Sequence, residues 1–222
     1  MTPSSSLSPG HLLVIGYVWP EPRSSAAGGH MLQLLECFLA QGWQITFASP
    51  AAEGEHRADL AVLGIREQRI TLNCSSFDQF VRELMPEVVL FDRFMMEEQF
   101  GWRVEKHCPN ALRVLETSDL QSLRAARQNA LKEQLASGQN EDFSTLFSLD
   151  HSQLFQRMAD SDMALREVAA IYRCDLSLMI SDAEIDLLTE QFKVPASLLL
   201  HCPLLLDSTP QRHVHPVPDD AP

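Results

Sequence analysis

The polar residues able to do chemistry in this chain gather at the ends of its apolar runs. The run His11 to Val18 stops at Pro20, and Arg23-Ser24-Ser25-Ala26-Ala27-Gly28-Gly29-His30 then leads into a helix-period segment, Met31 to Gln41. A strand, a loop of small residues and a helix start let a ligand approach bare backbone, and the free N–H groups there favour negative charge. Later runs end in Asp92-Arg93, in Thr117-Ser118-Asp119, and in Ser181-Asp182 with Glu184 one turn in. In an open parallel sheet ligands collect beyond the carboxyl ends of the strands, so these groups are the candidates for phosphate or sugar contact.

Each of them also has a purely structural reading. Gly28 and Gly29 could simply let the first helix pack closely on the sheet. His30, at a helix start, reads as a surface residue, and Asp92-Arg93 as a solvated local pair. Asp119 is placed to N-cap the helix carrying Leu120, Leu123 and Arg124, and Ser181 and Asp182 invite the same explanation. The stripe Met95-Met96…Phe100 reads as core.

Several chemistries are argued against by spacing. In a dinucleotide fingerprint the glycines sit tightly at the end of the first strand and an acid later holds the ribose. Here Gly28 comes twelve residues after Gly16, and the second strand ends in Ala48-Ser49-Pro50 with no acid. No G-x-S-x-G elbow and no phosphate-binding G-x-x-x-x-G-K-[ST] loop occurs. His213-x-His215 lies in Pro-rich sequence with no Cys or carboxylate at a known ligand spacing, and His107-Cys108 and His201-Cys202 have no identifiable companion. No metal or cofactor is expected.

The elements that must position these groups follow from composition and period. A chain of 222 residues, 45% hydrophobic, fits one large domain with tails. Its net charge of -13, with no basic block, argues against a nucleic-acid partner. Five cysteines without a C-x-x-C pair point to reduced, core-filling thiols in the cytoplasm. Met1 to Gly10 lacks a signal pattern, and the apolar stretch Val194 to Leu206 is too short to span a bilayer, so a soluble protein is expected. Apolar β-rich runs alternate with helix-period runs, the pattern of a parallel sheet with crossover helices. Strands are predicted at 11–18, 43–49, 66–72, 87–92, 111–117, 176–181 and 197–202. Helices are predicted at Met31–Gln41, at Ser76–Leu84 behind a Ser cap, at Phe94–His107, at Leu120–Gln134, along Ser152–Tyr172, and at Asp182–Phe192. Leu135 to Asp150 breaks the rhythm and reads as a surface segment. The fold class is α/β: a Rossmann-like parallel sheet of about seven strands with helices on both faces, in a single domain.

Particular residues add a resemblance. Leu12-Leu13-Val14-Ile15-Gly16, the Ser24–His30 loop and Leu32-Gln33-Leu34-Leu35 are similar to the opening strand, glycine loop and helix of family-four glycosyltransferases, which are built from two facing Rossmann-like domains. Gln41-Gly42-Trp43-Gln44-Ile45-Thr46 is similar to the step that follows. Asp119-Leu120-Gln121-Ser122-Leu123-Arg124 looks like a D-L-H-x-L-R stretch of some members, with Gln121 where His would stand. Asp175-Leu176-Ser177-Leu178-Met179-Ile180-Ser181, with Glu184 and Leu187-Leu188, resembles the unit that closes that domain.

The resemblance implies the N-terminal, acceptor-side domain, about residues 11–207, of a retaining enzyme. That enzyme would transfer a sugar from a nucleotide-sugar donor to a glycan or glycolipid acceptor. Residues 1–10 would be a disordered tail, and 208–222 a Pro-rich tail or the start of a linker to a second domain. Carried over, Gly28 and Gly29 approach the donor diphosphate, with His30, Arg93 and Arg124 as further substrate contacts. Ser118 and Asp119 line the cleft near the transferred sugar, Asp119 as the catalytic candidate. Gln121 cannot exchange a proton at neutral pH, so it carries no acid or base role. The expected partners are the sugar nucleotide, the acceptor and the second domain; peripheral membrane contact and homo-oligomer formation stay open. The alternative is a non-catalytic α/β module that binds a partner protein through the cleft face.

Overall fold

Period-2 alternation divides each central strand between two cores. The computed structural model describes residues 9–136, 150–159 and 161–204. Its strands are β1 (His11–Ile15), β2 (Gln44–Ser49), β3 (Arg66–Arg69), β4 (Val88–Asp92), β5 (Leu112–Glu116), β6 (Leu176–Met179) and β7 (Leu199–His201). Its helices are α1 (Ala26–Ala40), α2 (Ser76–Leu84), α3 (Phe94–His107), α4 (Gln121–Ala136), α5 (His151–Met158), α6 (Asp162–Arg173) and α7 (Asp182–Glu190). Leu13, Ile15, Val89, Phe91 and Leu115 face one core with Phe77, Phe100, Val104 and Ile171 from the helices. Leu12, Val14, Leu90 and Val114 face the other, with Met31, Leu35 and Phe47. Both faces are covered, as a parallel sheet requires.

All seven predicted strands form. They make one parallel sheet in the order β3-β2-β1-β4-β5-β6-β7. The chain fills one side of β1, then crosses to β4 on the other, so a crevice opens between the carboxyl ends of β1 and β4. The register sets Asp92 opposite Glu116, which puts two acids side by side at that rim.

Several boundaries differ from the predicted ones, each for a local reason. Helix α1 starts at Ala26 rather than Met31, because extended Ser25 caps it: its Oγ accepts the Gly28 N–H at 3.0 Å. Gly28, Gly29 and His30 therefore lie inside the first turns of a helix, not in a loop. A Cβ on Gly28 would sit 2.6 Å from the Glu21 backbone, so this glycine is fixed by the close approach of the preceding loop; Gly29 faces open space. The Ser152–Tyr172 stripe is two helices. Asp150 and Gln153 form a capping box on α5, and Ser161 caps α6 through the Ala164 N–H. Ser75 holds the cap position of α2 without a side-chain bond, and Ser181, not Asp182, holds that of α7.

Of the five free thiols Cys108 and Cys174 are buried, Cys74 and Cys202 are half-buried, and Cys37 is exposed, so two of the five fill the core. Met96 and Phe100 are core as expected. The segment 137–149 and the tail 208–222 lie outside the described residues. Among the described residues no helix is long and apolar enough to cross a membrane.

Candidate functional site

Two strand ends leave the sheet through backbone that side chains rarely adopt. Arg93, just past β4, has φ 71° and ψ 155°, and Ser118, two residues past β5, has φ 59°. Arg93 lies in a region populated almost only by glycine, at a cost of about 1–3 kcal/mol. The Arg93 N–H donates to the Glu116 carbonyl at 2.8 Å, which locks the two exits together. Its guanidinium lies over the Tyr17 ring, 5.0 Å from the centroid, and is 3.7 Å from Asp92 Oδ1. The Asp92–Arg93 pair is thus no solvated surface pair: Asp92 is buried, and its Oδ2 accepts the Tyr17 N–H at 3.0 Å.

Glu116 organises the rim from below. Its Oε1 accepts the Ser118 N–H at 2.9 Å and its Oε2 accepts the Ser118 hydroxyl at 2.8 Å, holding Ser118 in its left-handed turn. Burial, reinforced by neighbouring Asp92, pushes the Glu116 carboxyl up to about 7. Burial also raises Asp92 and lowers His30. His30, expected at the surface, is 3% exposed; its Nε2 lies 3.9 Å from Glu116 Oε1, and neither ring nitrogen has a hydrogen-bond partner among the described residues. Burial thus works against charge on all three groups under the rim.

Above them opens a hollow of about 240 Å³ whose walls include His30, Arg93, Ser118, Asp119 and Arg124, with Ala26 and Ala27 from the first turn of α1. Five of the seven site residues that the resemblance carries over meet there. Gly28 instead lines a neighbouring hollow of about 180 Å³ with Trp19, Asp92 and Arg93. Gly29 lines neither. The N–H groups of Gly28 and Gly29 are taken by Ser25, whereas those of Ala26 and Ala27 have no partner among the described residues. The anion-attracting donors of this helix start are therefore the alanines.

Asp119 does not cap α4. Its two oxygens take the Arg124 guanidinium side-on at 2.9 and 2.5 Å, leaving both groups on the wall of the hollow. The cap comes from other helices. Glu167 of α6 accepts the Gln121 N–H at 2.6 Å and the Ser122 N–H at 3.0 Å, and also takes the Ser122 hydroxyl. Glu184 of α7 accepts the Leu120 N–H at 3.0 Å. Burial raises both carboxyls, and these donors pull the other way. Of these acids the sequence reading named Glu184 and passed over Glu116 and Glu167. Their signal was present: Glu116 closes an apolar strand, and Glu167 interrupts the buried stripe Ala164, Ala170, Ile171. Among the described residues no three His, Cys, Asp or Glu side chains converge as a metal set.

The strain at Arg93 has a measurable consequence. Arg93→Gly is expected to be more stable than Arg93→Ala by about 1 kcal/mol or more, since only glycine relaxes at φ 71°. Chemical denaturation of the two variants checks this; equal stabilities would mean that Arg93 is not strained.

No family model and no curated protein sequence matches the chain. Solved structures do. The lipopolysaccharide outer core galactosyltransferase WaaB, in its apo form, superposes with a TM-score of 0.53 at 11% identity, over 91% of this chain and 50% of that one. Sucrose-phosphate synthase from Thermosynechococcus elongatus gives 0.50 at 13% identity, over 86% of this chain and 48% of that one. The likeness is one of fold: a Rossmann-like parallel sheet with helices on both faces, as in B-type glycosyltransferases. The chain spans about half the length of each of these structures.

Proposed function

We propose that this chain is the acceptor-side, N-terminal half of a retaining glycosyltransferase that moves a sugar from a nucleotide-sugar donor onto a glycan or glycolipid acceptor. One observation carries the reading. In a fold shared with sugar transferases, the hollow at the β1/β4/β5 rim gathers two guanidinium groups, a hydroxyl, a carboxylate and helix-start amides that have no partner among the described residues. Arg93 and the Ala26 and Ala27 amides supply positive potential for the donor's phosphates. Asp119 and Arg124, already oriented by each other, offer an acceptor and donors to the hydroxyls of the transferred sugar, holding it in one geometry for attack. Gly28 serves by letting the 20–25 loop close on α1, which shapes the wall. The raised carboxyls of Asp92 and Glu116 reduce the repulsion a phosphate would meet.

The nucleotide pocket would belong to a second α/β half. Offered a panel of sugar nucleotides and glycan acceptors, the chain alone is expected to release no nucleotide, and the chain together with a nucleotide-binding half to transfer sugar. In that assembly Asp119→Ala is expected to lower transfer at least roughly tenfold through lost positioning. Turnover by the chain alone, or transfer undiminished by Asp119→Ala, would refute the proposal.

A further inference from the structure

A second hollow adjoins the first and shares Asp119 and Arg124 with it. It holds about 280 Å³ along the first turns of α4, with Asp119, Leu120, Leu123, Arg127, Gln128 and Glu184 on its walls. The two leucines are buried and make an apolar floor. Beside it lie groups of opposite hydrogen-bonding character. Glu184 is 7% exposed; its Oε1 is used by the Leu120 N–H, while its Oε2 is buried with no partner among the described residues. Arg127 is exposed and makes no ion pair among the described residues. The Gln128 carboxamide can act either way.

We propose that this hollow seats the ring of a neutral, polyhydroxylated acceptor sugar. Its hydroxyls donate to Glu184 Oε2 and accept from Arg127 and Gln128, and its C–H face lies on Leu120 and Leu123. The inference rests on the transferase reading above, whose acceptor it assigns to a place and a chemical class. A hydroxyl is the group that meets both needs, since its O–H donates a hydrogen bond to a carboxylate and its oxygen accepts one from a guanidinium. A phosphate would face the carboxylates of Asp119 and Glu184 with one unpaired guanidinium to hold it, because Arg124 is occupied by Asp119. A purely apolar ligand would leave the buried Glu184 Oε2 as it is, without a partner, whereas a hydroxyl would relieve that cost. Asp119 and Arg124 line both hollows, so a sugar seated here sits next to the position given to the transferred sugar.

The test is direct binding to the full 222-residue chain by saturation-transfer NMR and titration. The probes are neutral methyl hexosides and disaccharides, hexose phosphates, and a nucleoside diphosphate. Parent, Arg127→Ala and Glu184→Gln are compared. Arg127 is exposed, so its truncation leaves the fold intact, and Glu184→Gln keeps a carbonyl for the Leu120 N–H. A neutral glycoside is expected to bind, and each variant to weaken it about tenfold while leaving nucleotide binding unchanged. The proposal falls if no neutral glycoside binds, if both variants bind it like the parent, or if only hexose phosphates bind. Glycoside binding that needs both residues, in a chain whose assembled form transfers nothing, would uphold the subsite and remove the transferase reading. Sugar transfer in the assembled form by all three proteins with unchanged acceptor KM would do the reverse.

Discussion

Replacing Glu167 by alanine is expected to cost about 3 kcal/mol of folding stability and to lower the melting temperature by roughly 6–12 °C. The carboxylate is 5% exposed and satisfies the N–H groups of Gln121 and Ser122 and the Ser122 hydroxyl from a helix far away in sequence. Ser122 is itself 4% exposed, so without Glu167 its donors are stranded away from water. Each stranded donor costs about 1–3 kcal/mol, offset in part because the burial of Glu167 is also relieved. The effect reaches function, since the start of α4 carries Asp119 and Arg124. Thermal and urea denaturation would measure it. A loss below about 0.5 kcal/mol, the size of an ordinary surface change, would show that α4 does not depend on this cap.

Glu116 is expected to make the protein less stable as the pH rises from about 4.5 to about 7. Unfolded, the carboxyl ionises near its ordinary value of 4.5; folded, it holds its proton to about 7. Between these values the folded state binds more protons, so stability contributed by this group is complete below the lower value and lost as pH climbs through the upper. The span corresponds to about 3 kcal/mol. Glu116→Gln imitates the protonated carboxyl: its carbonyl can accept the Ser118 N–H, and its amide can donate to the Ser118 hydroxyl. The variant is expected to match the parent near pH 4 and to exceed it by up to about 3 kcal/mol at pH 8. Stability curves of parent and variant that run parallel across this range would contradict the assignment.

Much of this architecture could be read from the residues in order. Short strands of three to six residues, all but β3 largely apolar, alternate with helix-period segments along the chain, and that alternation leads to a parallel sheet. The strand-end rule selects His30, Arg93, Ser118 and Asp119, the resemblance adds Arg124, and all five line one hollow. What escaped was long-range. The start of α4 looks self-capped by Asp119, whereas Glu167 and Glu184 reach it from positions 46 and 64 residues away, a convergence that no local spacing reveals. His30 looks exposed because the sequence sets it at a helix start; α1 in fact begins at Ala26 behind the Ser25 cap, which turns His30 inward against Glu116. The strained backbone of Arg93 and Ser118 likewise follows from the β4–β5 tie through Glu116. Acids inside apolar stripes were the legible trace of these contacts, at Glu116, Glu167 and also Glu97, which Arg173 neutralises at 2.5 Å.

The most direct measurement is amide chemical-shift mapping of the full chain titrated with uridine, guanosine and adenosine diphosphate sugars. Perturbations are expected to concentrate at Ala26 and Ala27, Arg93, and Ser118 to Arg124, and to be reduced in Arg93→Gly. Perturbations confined to the far edge around β6 and β7, or to the amino ends of the strands, would contradict this expectation.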